Sequence, residues 1–258
     1  MDNDDHEPLV LSGSALDALK EFYADRDALQ KKFEDLKTGA EDEFDGANDR
    51  SGGERKAKML SMDVFPESWQ DSQFWYSDET ATALADELLD GATAETTIAV
   101  VSAPSVFIQL KNILKKEDKA AASRPKIWLL EFDKRFDVFE EFVFYDFKTP
   151  LKLPPEMKGS IDRFIVDPPF LSEDCQTKAA LTVRWLSKIW LVTNPSDSRL
   201  IVCTGERMEG LVNKLYRPSR IVTTNFEPVH SKGLSNEFFC YANFECGKWK
   251  WREDKSES

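Results

Sequence analysis

Residues 164–172 read FIVDPPFLS. An apolar run meets an acid, two prolines and an aromatic ring. Neither proline donates to a strand ladder and both fix φ, so the run stops there and Asp167 and Phe170 are held at a stiff corner. The oxygens of Asp167, or the proline-fixed carbonyls beside it, can hold the N–H bonds of an amine and aim its lone pair. That works only on a neutral amine, which burial favours. Phe170 can stack on a planar base or lie against an alkylammonium. The four residues Asp167, Pro168, Pro169 and Phe170 therefore point to nitrogen chemistry without separating an aromatic amine from an aliphatic one.

Two more apolar runs end in acids. KIWLLEFD, 126–133, ends with Glu131 and Asp133, and EEFVFYDF, 140–147, ends with Asp146 between Tyr145 and Phe147. A carboxylate after a strand has two oxygens for the two hydroxyls of a ribose, and Glu131 is placed better for this than Asp133. Asp146 can accept from an adenine amino group with Phe147 or Tyr145 beside the ring. Each of these acids is also compatible with an ordinary surface turn.

Such corners act together only if one sheet presents them along one edge. Five β-branched or apolar runs, at 96–105, 126–133, 140–147, 161–169 and 198–205, alternate with helical patterns at 78–92, 106–117, 175–190 and 205–216. Near-continuous hydrophobic strands alternating with helices predict a parallel sheet covered on both faces. Runs at 220–229 and 237–245, joined by the polar HSKGLSN, predict a closing antiparallel hairpin. This α/β layout, mostly parallel with a C-terminal antiparallel hairpin, resembles the Rossmann-like sheet of class I methyltransferases. Ligands sit beyond the carboxyl ends of such strands.

On that layout the first strand leads into Ser102, Ala103, Pro104 and Ser105. A glycine-rich turn is expected there for close cofactor approach, and small residues with a proline take its place. Upstream, SQFWYSDET at 72–80 is too aromatic for a solvent loop. Trp75, Tyr76 and Ser77 are placed on the cofactor side, and the helix start at Ser77 and Thr80 is expected to offer N–H groups to the cofactor carboxylate. The alternative is aromatics covering the sheet edge.

The chain has 258 residues, 41% of them hydrophobic, and a net charge of −13. A protein that holds nucleic acid by its phosphates normally shows a basic field, whereas this one suits a basic partner. With four scattered cysteines and two histidines, neither a metal site nor a disulfide framework is expected. No apolar stretch is long enough to cross a membrane, and MDNDDHEPLV lacks the order of a signal peptide. A cytoplasmic monomer is expected. The first 60 residues hold 16 acids and 9 bases. Residues 1–36 predict a helical extension, with Ser12 or Ser14 as cap and Leu16, Leu19, Phe22, Tyr23 and Leu29 in its apolar pattern. It is either a solvated helix or a docking arm. Residues 37–60 predict a flexible linker, 61–250 the main domain and 251–258 a charged tail.

SQFWYS, VSAPSV, FDKRF, FYDF, DPPFL, CTGERM and LSNEFFCYANFECG occur in one order. With LSGSALDALKEFY near the N-terminus, the chain resembles the eukaryotic elongation factor 1-alpha lysine methyltransferases. Members of that family once carried an N6-adenine DNA methyltransferase label because of the DPPF/Y corner. The resemblance runs from about residue 61 to 247. It implies S-adenosylmethionine as methyl donor, S-adenosylhomocysteine as product, and a lysine ε-amine of elongation factor 1-alpha as acceptor. It implies Asp167, Pro168, Pro169 and Phe170 as the amine-holding corner, and Ser77, the Ser102–Ser105 turn, Glu131 and Asp146 on the cofactor side. The alternatives are an N6-adenine methyltransferase of DNA or RNA, and an inactive methyltransferase-like binding module.

Overall fold

The five apolar runs become five parallel strands: β1 Thr97–Val101, β2 Lys126–Glu131, β3 Phe142–Phe144, β4 Arg163–Val166 and β5 Arg199–Gly205. With β6 Val222–Thr223 and β7 Phe238–Ala242 they form one sheet in the order β3-β2-β1-β4-β5-β7-β6. Only β7 runs antiparallel to its neighbours. The computed structural model describes residues 59–68, 73–117, 121–188, 198–233 and 237–252. It also describes helical positions 17, 20, 21, 23, 24, 27, 28 and 30–34.

The chain divides into two units, 1–55 and 56–258. In the first, every described residue is helical, and Gln30 donates to Glu34 at 3.2 Å. Tyr23, expected on an apolar stripe, is exposed. Ser12, Ser14, Leu16, Leu19, Phe22, Leu29 and residues 37–58 lie outside the described residues. Leu60, assigned to the linker, belongs to the second unit: its N–H donates to Asn112 Oδ1 at 2.8 Å and its carbonyl accepts from Asn112 Nδ2 at 2.9 Å.

Among the described residues, four helices cover the sheet: α1 Asp78–Leu89, α2 Pro104–Lys116, α3 Glu173–Leu186 and α4 Glu209–Leu215. α2 starts two residues earlier than its apolar pattern because Pro104 occupies the first turn, where a missing N–H costs nothing. α1 ends at Gly91, whose φ of +66° favours a residue without Cβ. The last turn of α1 has no basic residue of its own. Arg163, at the start of β4, replaces one by donating to Leu88 O at 2.8 Å and Asp90 O at 2.7 Å. The interior of β1, β4 and β5 is fully buried, as a doubly covered parallel sheet requires.

The expected closing hairpin is shorter than its apolar pattern. β6 keeps two residues, Thr224 still donates its N–H to Cys240 O of β7 at 2.9 Å, and 225–229 leave the sheet. Pro228 cannot serve a ladder, and other partners claim the backbone around it. Asn225 N–H donates to Lys250 O, and Ser77 N–H donates to Val229 O. Residues 229–231 thus form a strap over the segment before α1. The tail assigned to 251–258 is likewise anchored at its start. Trp251 bridges Thr224, and Arg252 N–H donates to Thr223 O at 2.8 Å.

Candidate active site

Strand order reverses between β1 and β4, and the crevice of an open α/β sheet opens at such a point. Val101 pairs with Val166, so the next residues, Ser102 and Asp167, emerge side by side. Asp167 N–H donates to Val101 O at 3.0 Å, the last rung before the two chains part. Pro168 is buried, Asp167 and Pro169 are half-buried, and Phe170 is 39% exposed. Phe147, from the end of β3, reaches the same place, its ring 5.5 Å from that of Phe170. The corner and the β3 end therefore meet through these two rings.

Asp167 takes one hydrogen bond through Oδ2, from the Tyr76 hydroxyl at 2.6 Å. Its Oδ1 has no hydrogen bond among the described residues. Burial pushes the Asp167 carboxyl up to about 8. The Tyr76 hydrogen bond pulls it down, and nearby Glu131 pushes it further up. Such a group can hold or release a proton near neutral pH.

Ser102 explains how the first turn works without glycine. Its φ is +56°, in the left-handed region, and its N–H donates to Leu130 O at 2.9 Å. A serine there costs ~1 kcal/mol that glycine avoids, while glycine loses more entropy on folding. Ser102→Gly should leave the thermal midpoint within about 3 °C of wild type. Ser102→Val, β-branched at positive φ, should lower it by about 4 °C or more. Calorimetric melting of both variants checks this.

The β2 end separates its two acids. Glu131 is buried at 6% exposure. Its Oε1 accepts from Phe132 N–H at 2.8 Å and Asp133 N–H at 3.0 Å. Its Oε2 has no hydrogen bond among the described residues. Burial pushes the carboxyl up to about 7, against the pull of those two amides. Asp133 is committed to its neighbours: Arg135 Nε donates to it at 2.8 Å, Gln73 Nε2 at 3.0 Å, and it caps the turn at 134–138. Asp146 closes a tight turn through Oδ1, which accepts from Lys148 N–H at 2.9 Å. Beside the β2 end a cavity of about 480 Å³ is walled by Phe132 and Phe144, with Gln73, Asp133 and Arg135 among its lining.

The comparisons decide the family. A protein-family model described as "Probable N6-adenine methyltransferase" matches residues 67–246. The Saccharomyces cerevisiae protein-lysine N-methyltransferase EFM5 is 44% identical over 253 residues, 94% of each chain. EEF1A lysine methyltransferase 1 of Gallus gallus is 37% identical, covering 96% of this chain and 99% of that one. The Homo sapiens protein of the same name is 36% identical, covering 95% and 97%. This chain belongs to the EEF1A lysine methyltransferase family. Among solved structures, a SAM-dependent methyltransferase from Aquifex aeolicus aligns with a TM-score of 0.34 at 11% identity, over 65% of this chain and 97% of that one.

Three residues expected on the cofactor side of this methyltransferase, Trp75, Ser77 and Ser105, make structural contacts instead. Adjacent residues of an extended segment point opposite ways. With Tyr76 facing Asp167, Trp75 is sent the other way. Its indole N–H donates to Phe65 O at 2.6 Å and its ring meets Phe136 edge-on. Ser77 is the N-cap of α1: its hydroxyl accepts from Thr80 N–H and its own N–H is taken by Val229 O. Asp78 and Glu79 add negative charge to that first turn, so this helix start is unsuited to a carboxylate. The start of α2 suits it better. No acid lies in its first turn and no side chain caps it, with Ala103 at the cap position and Pro104 next. Ser105 is buried and accepts from Tyr76 N–H at 3.2 Å, so its hydroxyl is structural.

Gln176 was missed. It is 1% exposed, and its Nε2 donates to Phe170 O at 3.2 Å and Thr204 Oγ1 at 3.0 Å, fixing the far end of the methyltransferase corner. A signal existed: Gln176, Ala179, Ala180 and Val183 share the buried face of α3, and a lone amide on such a face needs partners.

Proposed function

We propose that the protein transfers a methyl group from S-adenosylmethionine to the ε-amine of a lysine on translation elongation factor 1-alpha. The observation that carries this is the Asp167 carboxyl at the switch point, tied through Oδ2 and open at Oδ1. The relatives at 36–44% identity are all named as lysine methyltransferases, and the two at 36–37% are named for EEF1A, which supports the acceptor. So does a net charge of −13, which suits a basic protein better than DNA.

The residues present fit the donor. The free Oε2 of buried Glu131 is a ready acceptor for ribose hydroxyls, with Asp146 next for the adenine amino group. The Ser102–Pro104 turn and the uncapped start of α2 fit the methionine end. When bound, S-adenosylmethionine supplies an electrophilic methyl on a sulfonium sulfur. The protein's part is to orient and desolvate. Asp167 Oδ1 and the proline-fixed carbonyls accept N–H bonds from the amine. Phe170 and Phe147 lie against its alkyl stem and keep water away, which favours the neutral amine. This reading places the enzyme in the cytoplasm as a monomer, with no DNA or membrane partner.

The test is incubation with labelled donor and either purified elongation factor 1-alpha or plasmid DNA, read by mass spectrometry. A methylated lysine peptide is expected, and label confined to DNA would overturn the acceptor. No label with either, together with no donor binding in calorimetry, would leave the inactive binding module as the better reading.

A further inference from the structure

Tyr76 lies 91 residues before Asp167 in the chain. It is 3% exposed, and several elements fix where its hydroxyl sits. Its own N–H donates to Ser105 Oγ at the start of α2. The strap clips the segment from the other side. Ser77 N–H donates to Val229 O at 2.8 Å, Ser231 N–H to Trp75 O at 2.8 Å, and Val229 N–H to Thr80 Oγ1 at 3.1 Å. The His230 ring packs 5.0 Å from the Tyr76 ring and 4.8 Å from that of Phe238 on β7. So much support for one phenol is not needed to fill space. It aims a donor at one oxygen of one carboxylate.

We propose that Tyr76 is a positioning residue: it pins Oδ2 of Asp167 so that Oδ1 alone meets the entering ε-amine, and it favours the ionised carboxylate that relieves that amine of its proton. The proposal deepens the lysine-methyltransferase reading and rests on it. One proton passes from the ε-ammonium to Asp167 Oδ1, leaving a neutral carboxyl and a neutral amine that turns its freed lone pair to the methyl while its remaining N–H bonds are held by Oδ1 and the proline-fixed carbonyls. The carboxyl returns the proton to solvent after the product has left. The strap, which starts 62 residues beyond Asp167 in sequence, holds the phenol in place and so controls how the corner ionises.

The titratable groups facing Asp167 are Tyr76 from the segment before α1, Glu131 from β2, Cys203 from β5 and Cys175 from α3. His230 of the strap faces Tyr76. Burial pushes the Cys175 thiol up to about 11 and the Cys203 thiol well above its ordinary value, and it pushes His230 down to about 4. None of the three changes charge between about pH 6 and pH 9. Glu131 does, so the test is made in both the wild-type and the Glu131→Gln background.

In the full-length protein, Tyr76→Phe removes the hydroxyl and keeps the ring. Donor affinity by calorimetry and KM for the elongation factor should stay within about threefold. The acid limb of the kcat profile should move up by about one pH unit, with kcat at neutral pH falling about tenfold or more and recovering at higher pH. A second readout needs no turnover. In donor-free protein, the carbon NMR signal of the Asp167 carboxyl, assigned by its loss in Asp167→Asn, should titrate at higher pH in Tyr76→Phe. An unmoved carboxyl titration with an unmoved pH profile overturns the proposal and leaves Tyr76 as packing. If the wild-type enzyme methylates no lysine, the functional reading fails, while the donor-free titration still reports on the tie. Should Tyr76→Phe not fold, 3-fluorotyrosine at position 76, a stronger donor of the same shape, should lower the carboxyl midpoint. No change there overturns the proposal equally.

Discussion

Asp167→Asn should bind S-adenosylmethionine as tightly as the wild type and turn over about 10²–10⁴-fold more slowly. Asparagine keeps an acceptor for the Tyr76 hydroxyl, so the corner stays folded. It loses the group that can take a proton, and it presents an amide where the amine needs an anion. The same variant should be more stable. The Asp167 carboxyl is raised from 3.8 to about 8 in the folded chain by burial. Between those values the folded protein holds a proton that the unfolded chain has released. The contribution of Asp167 to stability is therefore fully present below about pH 4, shrinks as pH rises and is lost above about pH 8. Asparagine has nothing to ionise, so its advantage grows across that window to a few kcal/mol. Melting at two pH values, calorimetry with the donor and single-turnover methylation test all three parts. Full activity in Asp167→Asn would mean the corner is misassigned.

Glu131 should show the largest effect on the donor. Glu131→Ala removes the oxygens proposed to receive the ribose hydroxyls. Hydrogen bonds to a charged group contribute roughly 1.5–3 kcal/mol each, so donor affinity should fall about 100-fold or more. Its carboxyl sits at about 7 because burial outweighs the two amides donating to Oε1. The ionised form is the better acceptor for two hydroxyls. Donor affinity in the wild type should therefore tighten as pH rises towards about 7 and level off above it, and in Glu131→Gln this dependence should disappear. Calorimetric titration across that range decides it. A wild-type affinity indifferent to pH, with Glu131→Ala binding normally, would remove Glu131 from the cofactor site.

The sequence by itself determined the strands, the helices and the corner, because each is written in neighbouring residues. Five apolar runs alternate with 3.6-residue patterns, Pro168 and Pro169 stop the fourth run, and acids follow the second and third. Those signals are local, so they survive without coordinates. Only the tertiary structure decided how the corner is armed. The Tyr76–Asp167 bond joins positions 91 apart. The sequence already favours Glu131 over Asp133, and the structure adds a physical reason, with Arg135 and Gln73 both donating to Asp133. Residues 225–229 belong to a strand-like run, and only their competing partners at Lys250 and Ser77 take them out of the sheet. Trp75 and Tyr76 look equally suited to a ligand in sequence, and the direction of one extended segment sends them to opposite sides. Periodicity and proline act over a few residues. A hydroxyl against a carboxylate requires the whole sheet to bring its two ends together.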